Sequence, residues 1–230
     1  YDTDHWSASS GGTGGATLPL VHDTAVFNAS SFSSGSQSVT INTYPFICKD
    51  LDLSSVSNTP ELVFTSGTGI FGSITFGTMT MSGTGAMYIY IPGDSTLTTA
   101  GITVTTPIKI YGTIDEGSLT LQDAFTSSTT LTLSSGTFDA NDQNVEATTF
   151  SISTVYSSVL MGSGTWTLTG SGVVWNGNGL ITPETSTIEL TDASSSTKTF
   201  SGGSLPYYNL LLTGAGTGEF FSTGSNSFND

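Results

Sequence analysis

The chain contains no arginine, and its only basic side chains besides two histidines are Lys49, Lys109 and Lys198. Against eighteen acidic residues this leaves a formal net charge of −15. A nucleic-acid phosphate backbone is held through several Lys or Arg contacts that displace counterions, and an anionic membrane surface attracts basic clusters. This composition repels both. Cys48 is the one cysteine, so no intrachain disulfide can form. In the context Phe46-Ile47-Cys48 the thiol reads as a small buried hydrophobe. One cysteine and two histidines also argue against a zinc site. No apolar run approaches the roughly 18 residues of a membrane-spanning helix, so no membrane insertion by a helix is expected. Long runs of Ala, Leu, Glu and Lys are missing, and no segment shows a 3.6-residue hydrophobic period, so helix content should be near zero.

What the chain has instead is Ser and Thr at about a third of its 230 residues, 28 Gly, and 24 aromatics. From about residue 38 onward short segments alternate apolar and polar side chains, the signature of half-buried strands. Val39-Thr40-Ile41, Leu51-Asp52-Leu53, Met87 to Ile91, Ile108-Lys109-Ile110 and Ile188-Glu189-Leu190 are examples. In the stretch SLTLQDAFTSSTTLTLSSGTFDA (118–140) the pairs Leu119, Leu121 and Leu131, Leu133 face a core as two successive rungs, with the threonines outside. These motifs resemble one another and recur every ten to twelve residues, about half a plausible coil, and hairpin turn signals are few. The expected fold is all-β, a parallel β-helix or β-solenoid, with a β-sandwich as the alternative. At about 20 residues and about 4.8 Å per coil, residues 38–221 make about nine coils over roughly 40–45 Å. Residues 1–37, which carry Trp6, Pro19 and both histidines, differ in texture and read as an N-terminal cap or assembly segment; residues 38–230 read as the solenoid domain.

Asp4-His5-Trp6-Ser7, Ser9-Ser10-Gly11-Gly12 and Asp23-Thr24-Ala25-Val26-Phe27 resemble the opening of repeat-rich β-helix surface proteins, as do Gly164-Thr165-Trp166-Thr167-Leu168 and Ser186-Thr187-Ile188-Glu189-Leu190 further on. That family consists of adhesin-like and fibre-like proteins of environmental bacteria and their phages. The resemblance implies an extracellular place on a cell surface or virion, copies of the same chain as partners, and no catalytic residues to carry across. A Trp-Gly-Gly stretch that often precedes the opening motif in such proteins is absent before Tyr1, which suggests processing or a fragment.

Several constellations could carry chemistry. His22-Asp23 suggests a hydrolase pair, but no Gly-x-Ser-x-Gly elbow accompanies it. Asp50 and Asp52 point outward on one strand about 7 Å apart, a separation that glycosidase carboxylates also use; Asp139 and Asp142 form a second near pair. The lyase class that acts on acidic polymers is disfavoured by the missing arginine. Asp139, Asn141, Asp142 and Asn144 concentrate oxygen ligands that could hold Ca²⁺, the only cofactor the sequence suggests, although the spacing lacks an EF-hand's glycine and closing glutamate. Trp166 shares parity with Leu168 and belongs to the core. Trp175 follows Val173-Val174 and is the candidate sugar-stacking residue for a cell-surface glycan. Asn28-Ala29-Ser30 matches a glycosylation sequon. Thr-x-Thr pairs begin at Thr78, Thr96, Thr103, Thr130 and Thr165, at intervals too uneven for a lattice-matching ice-binding face. The expected function is therefore non-enzymatic: an acidic structural or adhesive subunit of a filament, fibre or virion appendage that pairs strands or coil ends with its own copies. Trp6, Val26 and Phe27 are the expected assembly anchors. A carbohydrate- or receptor-binding module of a phage tail fibre is the alternative.

Overall fold

The computed structural model describes residues 4–42, 46–112, 117–221 and 226–228. Among them are twenty-eight short strands and no helix, and every strand pairing is parallel. The chain winds as a β-solenoid of about nine coils, and each coil contributes one strand to each of three faces. Face one runs from Ala25–Asn28 to Leu180–Thr182 and is continued by Pro206–Tyr207 and Ser227–Phe228. Face two starts with Ser38–Ile41, Glu61–Phe64 and Thr80–Gly83 and resumes from Thr103–Val104 to Asn209–Leu212. The Thr105 hydroxyl, donating to the Met81 carbonyl at 2.7 Å, bridges the break between the two parts. Face three is the longest unbroken sheet, nine strands from Phe46–Cys48 to Gly218–Phe221.

Three strands per coil corrects the two implied by the ten-to-twelve-residue spacing. The face-two strands in the middle of the chain, Thr103–Val104, Phe125–Ser127 and Val145–Ala147, are two or three residues long. That is too short for an alternating pattern to register. The leucines of the stretch 118–140 are corrected in the same way. Leu119 lies on face one between Ser95 and Phe138, and Leu131 lies on face three between Ile108 and Phe150. They are opposite walls of a single coil, not successive rungs.

Within each strand alternate side chains point inward, as in Met87–Ile91, where Met87, Ile89 and Ile91 are buried and Tyr88 and Tyr90 are not. Parallel pairing then stacks like on like along the axis. Leu131 meets Phe150 after 19 residues, whereas Ala25 meets Leu51 after 26. The corners absorb this difference, which is why the repeat looks irregular in sequence. No single coil can close its own core, so stacking supplies the burial. The N-terminal coils are filled by Ile, Leu, Met and Phe, among them Ile70, Met81 and Ile89, with the Cys48 thiol fully buried beside them. The C-terminal coils contain a column of rings: Phe138, Phe150, Trp166, Trp175, Phe200 and Tyr207. Their polar atoms have partners. The Trp166 indole donates to the Met161 carbonyl at 3.2 Å. The Trp175 indole donates to the Tyr207 hydroxyl at 3.0 Å, which donates onward to the Gly202 carbonyl at 2.9 Å. Burial pushes the Tyr207 phenol up to about 12.

Candidate functional site: the coil ends and the aromatic face

Three of the eighteen acids, with one asparagine, are corner fittings. Asp50 Oδ1 accepts the Ser73 N–H at 2.8 Å, and Asp123 accepts the N–H groups of Thr99 and Ala100, both at 2.7 Å. Asp142 Oδ1 accepts from the Ser163 N–H at 2.8 Å and Asn144 Oδ1 from the Thr165 N–H at 2.9 Å. Each reaches the neighbouring coil where the chain turns and backbone groups leave the sheet ladder, so each satisfies a donor that the turn would orphan.

This arrangement decides how the four candidate Ca²⁺ ligands sit. Asp139 Oδ1 accepts the Asn141 N–H within its own turn, Asn141 donates its amide to the Leu121 carbonyl, and Asp142 and Asn144 serve separate amides of the next coil. Asn141 and Asp142 both hold a positive φ, which short polar side chains tolerate in turns. The oxygens of Asp139, Asp142 and Asn144 and the amide nitrogen of Asn141 are thus each engaged with a different backbone group. Among the described residues no three His, Cys, Asp or Glu side chains are grouped to hold a metal ion.

The other chemistry-bearing candidates are dispersed. His22 Nε2 lies 3.6 Å from Asp23 Oδ1, while Asp23 Oδ2 accepts the Leu20 N–H in a turn. Asp52 accepts the Ser54 N–H at 2.9 Å, and Asp50 is held by Ser73 and the Thr24 hydroxyl, so both carboxylates are tied to backbone or hydroxyl donors. Asn28 donates its amide to Ser10 Oγ at 2.8 Å. The Thr-x-Thr pairs fall on all three faces: Thr96 on face one, Thr103 and Thr165 on face two, Thr130 on face three. They form no common rank.

Trp175 is the clear correction. Its indole is fully buried, ringed by Phe150, Trp166, Phe200 and Tyr207 at 4.9–5.9 Å between centroids. The ladder to strand Lys198–Ser201 shifts register between Val173 and Trp175, and this bulge turns Val174 and Trp175 inward together. A side chain so enclosed stacks on no sugar.

A polar device that the sequence reading missed closes one corner near the C-terminus. Lys198 is fully buried, its ammonium 2.9 Å from Asp192 Oδ2 and donating to the Ser194 and Ala215 carbonyls. The Ser194 hydroxyl and Lys198 hold the Asp192 carboxyl below its ordinary value. On face three Lys198 is in register with Gly172 and Gly218.

The two ends of the solenoid differ. At the N-terminal end Trp6 rests on Phe27 and Phe46, at 5.6 and 6.2 Å, and Phe27 stacks on Phe32 at 6.1 Å. Of the three expected assembly anchors, Trp6 and Phe27 thus cover the chain's own first coil, and Val26 is exposed on face one. Strand pairing already begins at Ala25, inside the segment that the sequence set apart as 1–37. At the C-terminal end no described residue pairs beyond the last strands of the three faces. Its strands Asn209–Leu212, Gly218–Phe221 and Ser227–Phe228 are the outer strands of their sheets. Phe220 is in register with core Phe200, and Leu210 and Leu212 continue the rows of Ile188 and Leu190. Yet Phe220 is 65% exposed, Phe221 59%, Leu211 49%, Leu212 43% and Phe228 40%. Leu190, Phe200, Leu210, Leu212 and Phe220 line a shallow apolar hollow of about 130 Å³ there.

No protein-family model matches this chain, and no curated protein or solved structure matches it. The coil ends and the outer faces therefore carry the functional argument alone.

One outer face stands apart. On face three Phe71, Tyr90 and Tyr111 stack in series, at 4.6 and 5.5 Å between ring centroids, with Tyr88 at 6.1 Å from Tyr111. Gly69 lies in register with Tyr88, and an added Cβ there would touch the edges of Phe71 and Tyr90 at 3.4 Å. The stacked rings thus turn one edge to the sheet and the opposite edges and tyrosine hydroxyls outward. Lys109 Nζ sits 5.9 Å over the Tyr88 ring, and Lys49 precedes the same face's next coil, 3.3 Å from Asp50. With Lys198 buried, the two remaining lysines both flank this ladder.

Proposed function

We propose that this chain is a non-enzymatic structural module of an extracellular appendage on a cell surface or virion, a β-solenoid rod joined to a neighbour through its C-terminal coil end. The observation that carries the reading is the apolar side that the last described coil exposes. Phe220, Leu212 and Phe228 repeat the core pattern of the coil below, and their exposure forms a contiguous apolar patch of a kind that marks an interaction site. Unpaired strand edges around that patch offer main-chain hydrogen bonds to a further strand. Low charge density and backbone donors tied down at the corners suit a rigid rod. The expected result in light scattering is an associated wild-type protein that Leu212→Glu with Phe220→Glu disperses to a monomer with an unchanged far-UV spectrum. A wild type that stays monomeric at micromolar concentrations would remove the assembly reading.

The stacked face favours a second reading, a glycan-binding or receptor-binding module of a tail fibre. Tyr88 and Tyr111 present hydroxyls and ring edges, with Lys109 alongside, on a protein otherwise dominated by acids. Because ring faces are used up by one another, the face would read sugars by hydrogen bonding at the hydroxyls more than by stacking. On a glycan array the wild type should bind and Tyr88→Phe with Tyr111→Phe should lose most of the signal. Retained binding in that variant would count against this face.

A further inference from the structure

Resting on the glycan-binding reading of face three, we infer that its ligand is a linear acidic polysaccharide lying along the rod axis, with carboxylates spaced by neutral sugars. Charge is sorted among the three faces. The strands of face one carry Asp52 and Asp139, and those of face two carry Glu61, Glu146 and Glu189. The strands of face three that precede Gly218–Phe221 contain no Asp or Glu. They do contain Lys109, whose ammonium pairs with no described carboxylate and sits over the Tyr88 ring. The nearest acids in the sequence, Asp50 and Asp94, lie at corners, where Asp50 accepts the Ser73 N–H and Asp94 the Ser118 hydroxyl. On a chain of net charge −15, this is the described face on which an anion meets least repulsion.

Register turns the face into a track. Tyr88, Lys109, Thr132, Ser151, Asn176 and Ser201 are successive partners in the sheet. All six are half-buried or exposed, and each offers a hydrogen-bonding group. At about 4.8 Å per coil the column is about 24 Å long. The stack of Phe71, Tyr90 and Tyr111 runs beside its first part, and Tyr111 leaves the same strand as Lys109. A small molecule is held in a concave pocket, whereas this surface is an unbroken sheet whose polar groups recur at the coil spacing. A polymer whose hydroxyls also recur along its length matches it.

The positions of the cations set the charge density of that polymer. Lys49 follows the first strand of the face, three coils before Lys109 and so about 14 Å away along the axis. Lys49 also pairs with Asp50 at 3.3 Å, which leaves Lys109 as the principal charge. An acid on every sugar would set unpaired carboxylates against the rings between the two lysines, and burying an unpaired charge is costly. Neutral sugars between the acids avoid this.

The test is the affinity of the full chain for three probes. Hyaluronate alternates a uronate with a neutral sugar, carboxyl-reduced hyaluronate is the same polymer without charge, and polygalacturonate carries an acid on every sugar. Hyaluronate should bind, more weakly as salt is added, and the other two should bind at least about tenfold more weakly. Lys109→Gln should lose about tenfold toward hyaluronate, Lys109→Arg should retain most of the affinity, and Glu146→Gln on face two should change nothing. Equal binding of the reduced polymer, or an unaffected Lys109→Gln, would overturn the acidic ligand. The glycan reading would still stand if Tyr88→Phe with Tyr111→Phe abolished that binding. Preference for polygalacturonate would overturn the spacing of the acids. Failure to bind any of the three would overturn the acidic ligand, and a blank glycan array as well would remove the glycan reading with it.

Discussion

Trp175→Ala is expected to lower unfolding stability by about 4 kcal/mol, among the largest effects open to a single core side chain here. The indole is enclosed by Phe150, Trp166, Phe200 and Tyr207, and close-packed neighbours do not collapse fully into the space a deleted ring leaves. Its loss also removes the donor to the Tyr207 hydroxyl, although Tyr207 keeps the Gly202 carbonyl. Trp175→Phe should recover more than half of the loss, because ring volume and not the indole N–H is the main contribution. Since coils contact only their neighbours, damage should be local. Hydrogen exchange should accelerate in the coils holding Phe150, Phe200 and Tyr207 and remain slow around Ile70 and Ile89. Chemical denaturation of the variants checks the magnitude. A midpoint within experimental error of wild type would mean that Trp175 is not in the core.

A comparison of three glycines separates backbone strain from steric exclusion, and Gly83→Ala should be its severe member. Gly83 holds φ at +108°, in register with Phe64 of the preceding coil, and an added Cβ would lie 2.0 Å from the Phe64 carbonyl oxygen. Backbone cannot step aside as a side chain can, so the two coils must part, and a loss of about 3 kcal/mol or more is expected from strain and displacement together. Gly172, at φ +73° with open space around it, carries the conformational cost alone, about 1 kcal/mol as alanine. Gly93 has neither constraint, and Gly93→Ala should be neutral or stabilise by about 0.5 kcal/mol through the unfolded chain. Thermal melts of the three variants give the ranking, and an equal response from Gly83 and Gly172 would rule out the coil-to-coil contact.

The same glycines show where sequence reading stops. Gly83, Gly93 and Gly172 look alike as letters between strands. Only the neighbouring coil distinguishes them, because the forbidden contact of Gly83 lies 19 residues away in the chain. Trp175 illustrates the same limit from the other side. Period-two parity reads a strand correctly until a bulge inserts a residue, and the register shift after Val173 reverses every parity that follows it. The acids at Asp50, Asp123 and Asp142 were visible as residues but not as partners, since the amides they satisfy belong to a neighbouring coil, the next one for Asp50 and Asp142 and the preceding one for Asp123.

Alternation of apolar and polar residues, with recurring strand motifs and few hairpin signals, pointed to an all-β solenoid of about nine coils, a β-sandwich being the alternative, and to the inward leucines at 119, 121, 131 and 133, the core placement of Trp166 and, from its apolar context, the burial of Cys48. Those are local properties: a two-residue period and a repeat of about one coil survive in the letters because each strand carries its own pattern. The three-sided coil, the inward turn of Trp175 and the exposed apolar side of the last described coil were decided by tertiary structure. Leu212 and Phe220 have the pattern of core residues, and whether such a residue is core depends on what is stacked above it. That is a property of position along the solenoid axis, which no local period encodes.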